Sequence, residues 1–289
     1  MSTSSNRKTV LITGCSSGGI GHELAREYHS KGLRVIATAR NPAALESLAS
    51  LGLETFELDV TKIESVRAGR DRVLAITGGT LDVLVNNAGK GHSLPATDFD
   101  LDEVKEMFEV NVFGVMRMVQ EFVPLLIASG DGRIVNIGSI TALMPYPFGS
   151  SYNASKAALH SYGNTLRLEM APFNVQVITI ITGGVKSNIS RSRRMIPPSS
   201  LYAPIADIFA QRRVARSQVG AMPTVDYARQ VVAQTLKPRV KAWFWTGNFS
   251  LFCWLIDTFA GRRGFDWLFS REFGLSALKS IISRQKKQN

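Results

Sequence analysis

Lys8-Thr9-Val10-Leu11-Ile12-Thr13-Gly14-Cys15-Ser16-Ser17-Gly18-Gly19-Ile20-Gly21 is the stretch that decides the fold. Its first six residues are mostly apolar or β-branched and stop at a glycine, as a short buried strand does. The glycine-rich turn then runs into HELAREYHSKG, a helical pattern. A strand, a glycine turn and a helix start together form an anion site. Backbone N–H groups converge there, and the helix N-terminus favours a pyrophosphate. Glycines allow the backbone to approach closely. A tight turn alone would also explain such a loop, but the strand before it and the helix after it supply the context a nucleotide cradle requires. Gly14, Ser16, Ser17, Gly19, Ile20 and Gly21 are therefore expected to contact a dinucleotide.

Working outward, Leu33 to Ala39 is a second apolar strand, and its end bears on the cofactor. An acid there binds the ribose 2′-hydroxyl of NAD, whereas an Arg accommodates the 2′-phosphate of NADP. The chain has Thr38-Ala39-Arg40-Asn41 at this point and no acid. NADP(H) is expected, with Arg40 as phosphate partner, against the alternative of a solvated Arg before a helix starting near Pro42. A third strand, Leu53 to Leu58, ends at Asp59. This residue either accepts from the adenine amino group or caps the helix from Thr61. Further strands are predicted at Leu81–Val85, Arg133–Ile137, Asn174–Ile180 and Lys241–Trp245. They alternate with helices, one of them a long helical stretch from Leu101 to Ala128. Such alternation implies an α/β fold: a Rossmann-type, doubly wound parallel sheet of about seven strands, helices on both faces. Ligands of these sheets sit at the carboxyl ends of the strands. The Gly14–Gly21 loop, Arg40, Asn87, Ala88 and Gly89, Ser139 and Thr182–Ser187 would all lie on that edge.

Tyr152 and Lys156 stand four apart in Ser151-Tyr152-Asn153-Ala154-Ser155-Lys156, within a helical pattern. They can share one helix face. An ammonium beside a phenol favours the phenolate and lowers its pKa, which makes a general acid usable near neutral pH. Asn111 sits inside an apolar helical run, where it needs a partner or a function.

Composition limits the alternatives. At 289 residues the chain is 45% apolar and 20% charged, enough for a full core. The two cysteines are far apart in sequence and suggest a reducing compartment. The four histidines lack metal-ligand spacing, so no metal is predicted. The polar start lacks an apolar signal region. The net charge of +11 is local: residues 1–185 carry 16 Lys+Arg against 18 Asp+Glu, but residues 186–241 carry 11 against 2. That argues for a basic surface facing an anion or a membrane and against a nucleic-acid partner, for which no motif exists.

The chain resembles the short-chain dehydrogenase/reductase family. The resemblance rests on Thr13-Gly14 through Gly21, Asn86-Asn87-Ala88-Gly89, Asn111, Ser139, and Tyr152 with Lys156, with thirteen residues from Ser139 to Tyr152. It implies that Tyr152 is the general acid/base and that Lys156 binds the nicotinamide ribose. Ser139 would stabilise the substrate carbonyl oxygen, and Asn111 would hold a water of the proton relay. Val185 and Ser187 would meet the nicotinamide amide. The sequence departs from the family pattern with an additional glycine in the loop. It also departs at Thr182-Gly183-Gly184, where the missing Pro predicts a less rigid turn. Within the family, Pro147-Phe148-Gly149-Ser150, Leu168-Glu169-Met170 and Ile181-Thr182-Gly183-Gly184-Val185 look like the fungal NADPH-dependent 1-acyldihydroxyacetone-phosphate reductase group. That likeness implies an acylated dihydroxyacetone phosphate or similar lipid-like ketone as substrate. It also implies a place on the cytoplasmic side of endoplasmic reticulum or lipid droplets. The same signature occurs in cytoplasmic ketoreductases of fungal secondary metabolites, polyketide-like in kind. A third reading is a non-catalytic NADP(H)-sensing protein.

Three regions are expected: a flexible residues 1–7, a catalytic domain over 8–248 and an apolar, basic extension over 249–289. Within the domain, 186–223 forms a basic substrate lid. Lys186, Arg191, Arg193 and Arg194 of this lid either hold an anionic substrate head or form a solvated loop. The apolar run from Phe249 to Ala260 fits peripheral contact with a membrane, a homodimer contact, or a cap over the pocket. The basic tail from Lys279 to Asn289 is expected to be mobile.

Overall fold

The structure, a computed structural model, describes residues 7–189, 194–215, 219–261 and 263–288. Its elements in chain order are β1 (Thr9–Ile12), α1 (Ile20–Ser30), β2 (Arg34–Ala39), α2 (Glu46–Ala49), β3 (Glu54–Glu57), α3 (Ile63–Thr77), β4 (Val83–Asn86), α4 (Leu101–Phe108), α5 (Gly114–Ala128), β5 (Gly132–Ile137), α6 (Ser150–Met170), β6 (Val175–Thr182), α7 (Ala206–Phe209), α8 (Thr224–Thr235), β7 (Trp243–Thr246), α9 (Ser250–Phe259), α10 (Asp266–Glu272) and α11 (Leu275–Gln288).

The seven strands pair in the order β3-β2-β1-β4-β5-β6-β7, and every pairing is parallel. The period of two along β1 sends Val10 and Ile12 to one face and Leu11 to the other. On the first face they join Leu24 and Tyr28 of α1 and Tyr227 and Val231 of α8. On the second, Leu11, Leu84 and Ile134 meet Val73 of α3, Phe122 of α5 and Leu159 of α6. Each such fully buried side chain contributes roughly 1.5–3 kcal/mol, so helices hold both faces and the doubly wound expectation is met. The order reverses between β1 and β4, and the crevice at that reversal is where such sheets take ligands.

The structure adds local detail to these expectations. The stretch Leu101 to Ala128 is helical throughout, as expected. A π-turn, Glu109–Phe113, separates α4 from α5 around Asn111. Pro223 holds the cap position of α8, and the Thr224 hydroxyl donates to Lys186 O at 2.7 Å. The turn after β6 is pinned although it lacks a proline. Gly183 N–H donates to Thr246 O and Gly184 N–H to Asn248 O, each at 2.8 Å, and Lys186 N–H donates to Met222 O at 3.0 Å. A Cβ on Gly183 would lie 2.1 Å from Asn248 O, so the close approach requires glycine. Finally, the basic tail continues α11 through Gln288, beyond buried Leu278, with residues 282–288 exposed.

A third apolar cluster joins the extension to the rest. Cys253, Phe265, Phe269, Phe273 and Leu278 pack with Ile140 and Phe148, from the loop before α6, and with Ile205 and Phe209 of the lid. Tyr146 meets Phe269 and Phe273 edge-on, at ring distances of 5.6 and 5.0 Å. Residues 249–289 thus brace the loop that leads into α6. The outer face of α9 is left exposed, with Leu251, Phe252 and Phe259 at 65%, 45% and 77%.

Candidate active site

The glycine loop is built as an anion cradle. Gly14 and Gly18 take positive φ, at 72° each. A Cβ on Gly14 would lie 2.8 Å from Ala88 Cα, and one on Gly21 would lie 2.4 Å from Asn87 Nδ2. Side chains at these positions would fill the space where loop, strand end and helix converge. The first turn of α1 has Gly19 at its cap position and no side-chain cap, so its N–H groups remain open to a pyrophosphate. The residues present therefore fit a dinucleotide. Ser16 and Ser17 are exposed at the rim, and Asn188 Nδ2 donates to Ser17 O at 2.9 Å across it.

Asn87 does something the sequence did not disclose. Its amide donates to Thr13 O at 2.8 Å and Gly14 O at 3.0 Å, while the Thr13 hydroxyl accepts from Asn87 N–H and Ala88 N–H. The side chain locks the loop to the end of β4 and leaves Ala88 and Gly89 at the edge. Arg40 is exposed directly after β2. Asp59 Oδ1 accepts from Thr61 N–H at 3.0 Å and from the Thr61 hydroxyl at 2.8 Å. Asp59 thus closes a turn ahead of α3 and does not cap it: the helix starts at Ile63, and Lys62 holds the cap position.

Ser139, Tyr152 and Lys156 come together where β5 ends and α6 begins. Lys156 Nζ lies 5.9 Å from the Tyr152 ring centroid, as the four-residue spacing requires. It donates to Ile137 O at 2.8 Å. Lys156 is 4% exposed, and burial holds its ammonium down to about 8. Burial pushes the Tyr152 phenol up to about 12, against the opposing pull of a hydrogen bond with Ser139 and the nearby charge of Arg213. This differs from the expectation that Lys156 lowers the phenol. Desolvation outweighs the Ser139 hydrogen bond and the nearby charge of Arg213.

Ser139 is held from three sides. Its N–H donates to His160 Nε2 at 3.1 Å, its hydroxyl meets the Thr141 hydroxyl at 3.0 Å, and Thr141 N–H donates to it at 3.2 Å. His160 lies one further turn along the Tyr152–Lys156 face of α6 and is 3% exposed. Burial lowers its pKa to about 3, so it is a neutral acceptor. The sequence contained the signal, a third polar residue at spacing four, and His160 was missed because a His alone does not announce a backbone partner.

Asn111 is fully buried. Its Nδ2 donates to Lys90 O and Ser155 Oγ, each at 3.0 Å, and its Oδ1 accepts from Lys90 N–H at 2.8 Å. It ties the loop after Gly89 to the π-turn and to α6. Both amide hydrogens are thereby taken. π-Turns of this kind recur at functional sites.

Of the predicted substrate residues, Lys186 and Arg194 are described and stand apart from Ser139, Tyr152 and Lys156 in what they contact. Arg191 and Arg193 lie outside the described residues. Arg194 forms an ion pair with Glu103, and Glu103 also stands 3.5 Å from His92 Nε2. Lys186 is exposed. Val185 is buried and bridges to Met222, while Ser187 is half-buried. A cavity of about 250 Å³ beside Gly89 and Asn188 is lined by His92, Glu103 and Arg194. A larger one, about 850 Å³, lies between Gly220–Pro223 and Gly247–Phe252 and contains none of Ser139, Tyr152 or Lys156. Neither cavity is lined by Ser139, Tyr152 or Lys156.

Comparison with known proteins agrees with this geometry. The short chain dehydrogenase family model matches residues 8–196. Short-chain dehydrogenase RED1 of Pyricularia oryzae is 48% identical over 275 residues, covering 94% of this chain and 96% of that one. The NADPH-dependent 1-acyldihydroxyacetone phosphate reductase of Schizosaccharomyces pombe is 45% identical over 212 residues, 71% of each chain. The crystal structure of a short-chain dehydrogenase from Streptomyces avermitilis superposes with a TM-score of 0.75 at 25% identity, covering 98% and 97% of the two chains. With its parallel sheet, glycine cradle and Ser139–Tyr152–Lys156 cluster, the chain belongs to the short-chain dehydrogenase family of oxidoreductases.

Proposed function

We propose that this oxidoreductase is an NADPH-dependent reductase that converts a ketone to a secondary alcohol, its substrate being 1-acyldihydroxyacetone phosphate or a similar lipid-like ketone. The observation that carries this is the meeting of a protonated Tyr152 with Ser139 and Lys156 at the carboxyl edge of the sheet. The bound nicotinamide supplies hydride. Ser139 holds the carbonyl oxygen, and Tyr152 gives its proton to that oxygen as charge develops. Lys156, Val185 and Ser187 would hold the nicotinamide half, and Arg40 the 2′-phosphate. The exposed Arg40 with no acid beside it supports NADPH, as does the NADPH dependence of the Schizosaccharomyces pombe relative.

A second reading is a ketoreductase of polyketide-like ketones. It stands beside the first because the match to the acyldihydroxyacetone phosphate reductase spans 71% of the chain, whereas the match to RED1, whose name states no substrate, spans 94%. The presence of Ser139, Tyr152 and Lys156 together weighs against the third, an NADP(H) sensor without activity. NADPH oxidation with an acylated dihydroxyacetone phosphate, beside a panel of uncharged aromatic ketones, separates the three. Turnover of the phosphate ester, with KM lower for NADPH than for NADH, is the expected result. Faster turnover of the uncharged ketones would move the assignment to the second reading, and NADPH binding without any turnover would move it to the third. A preference for NADH removes the Arg40 assignment.

The exposed face of α9 supports peripheral attachment to a membrane, on the cytoplasmic side of endoplasmic reticulum or at a lipid droplet. Leu251, Phe252 and Phe259 project there, with Trp267 72% exposed and the Arg263 side chain 95% exposed nearby. At ten residues α9 is too short to span a bilayer, which takes about 20. Apolar side chains beside cations suit an anionic interface. The intact protein should sediment with anionic phospholipid vesicles, and the exposed double variant Leu251→Ser, Phe259→Ser should remain in the supernatant. Equal partition of the two proteins would end this proposal. Dimers that dissociate on the double substitution would instead assign the face to a second copy of the chain.

A further inference from the structure

Arg213 is a cation for which the site so far has no use. It lies in the π-turn Ala210–Ala215 that follows α7, and it is half-buried. Its guanidinium carbon stands 4.7 Å from the centroid of the Tyr146 ring. Its Nη2 reaches the N-terminus of α6, where a Cβ on Gly149 would lie 2.8 Å from it. Gly149 precedes Tyr152 by three residues. The Nε of Arg213 is buried and has no hydrogen-bond partner among the described residues. The charges acting on the guanidinium are those of two phenols, Tyr146 and Tyr152, and burial depresses its pKa. No carboxylate is paired with it among the described residues. Arg194, by contrast, is paired with Glu103. The neighbouring Asn153 amide donates to Tyr146 O at 3.1 Å and supplies no charge.

A half-buried guanidinium stacked on an aromatic ring is oriented in advance. Five donors in a fixed fork suit an oxyanion better than a carbonyl. Burying such a group without a counter-charge costs free energy that an incoming anion recovers. We propose that Arg213 is the substrate's anion anchor. It would bind a phosphate or carboxylate carried by the ketone, with the carbonyl then reaching Tyr152 and Ser139. Tyr146 fixes the plane of the guanidinium, and Gly149 leaves room for it. This inference rests on the reductase reading of the site, and it locates the anion contact in the second half of the lid, away from Arg191, Arg193 and Arg194.

The test compares matched ketones that differ only in charge: an acyldihydroxyacetone phosphate with its dephosphorylated ester, and a long-chain keto acid with its methyl ester. Wild type, Arg213→Gln and Arg213→Lys are assayed with NADPH, and NADPH fluorescence titration verifies that each variant is folded. Arg213→Gln should lower the anionic-to-neutral ratio of kcat/KM by about tenfold or more, the scale of a lost charged hydrogen bond, mainly through KM. Arg213→Lys should restore part of that ratio. Loss of selectivity for the keto acid alone, with the phosphate ester inert in wild type, would keep the anchor and discard the phosphate-ester substrate. Equal losses on charged and neutral partners, or a wild type with no preference for the charged ketone, overturns the proposal.

Discussion

Replacing Tyr152 by Phe is expected to lower turnover by about two to four orders of magnitude while NADPH binding persists. The substitution keeps the ring and its packing and removes one hydroxyl. Burial holds that hydroxyl protonated, at about 12, well above the pH of any ordinary assay. Tyr152 therefore stands in its donating form, the form that ketone reduction needs. Reduction should show little dependence on the phenol between pH 6 and pH 9, roughly, because its titration lies higher. Alcohol oxidation needs the phenolate and should accelerate as pH rises. Ser139, fixed by His160 and Thr141, remains in place in the variant. Any surviving rate thus measures carbonyl polarisation without proton donation. Single-turnover assays and NADPH titration on the same preparation check both halves of the expectation. Turnover within a few-fold of wild type would remove Tyr152 from the mechanism.

Much of the sheet and the motif edge was legible because buried parallel strands advertise themselves. Val10-Leu11-Ile12, Val35-Ile36 and Val83-Leu84-Val85 are apolar on both faces, since helices cover both. Glycines and small residues mark where those strands stop, and the cofactor edge is the set of these stops. The failures share one cause, in that each depended on a partner far along the chain. Asn111 announced that it needed a partner, but nothing local named Lys90 or Ser155. The absence of proline after β6 predicted slackness, whereas Thr246, Asn248 and Met222 supply the rigidity from elsewhere. Arg213 reads in sequence as one more basic lid residue, and only the packing of Tyr146 against Phe269 and Phe273 gives it a ring to lie on. Helix α11 was a different kind of miss. Leu275, Leu278 and Ile281 recur every three residues and all join the third cluster. That stripe was present in the sequence and was outweighed there by the tail's lysines.

Lys156→Met should make the ligand-free protein more tolerant of low and neutral pH relative to its own alkaline stability, while disabling catalysis. The ammonium is buried, its folded-state pKa is about 8, and its ordinary value is 10.5. Below pH 8, roughly, both folded and unfolded chains hold the proton, so the buried charge is a constant burden on the fold. Between that pH and 10.5, the folded protein has released the proton and the unfolded chain has not. The unfolded state then binds more protons, and stability rises with pH by up to about 1.4 kcal/mol per unit. Other groups oppose this. The Cys15 and Cys253 thiols, pushed by burial from 9.0 to about 12, lower stability above pH 9. Tyr152 and Tyr162, each raised from 10.0 to about 12, do the same above pH 10. These contributions are common to wild type and variant, so the difference between the two isolates Lys156. Met keeps the apolar stem and leaves Ile137 O without its donor, at a cost of about 1–3 kcal/mol that does not vary with pH. The readout is therefore slope, not level. Urea unfolding from pH 7 to pH 9.5 should show wild-type stability gaining on the variant as pH rises. Parallel profiles would mean that Lys156 keeps its ordinary pKa in the fold. A destabilising ammonium in the core then has its explanation in position, one helical turn from Tyr152, where the chemistry needs a cation more than the fold needs an apolar side chain.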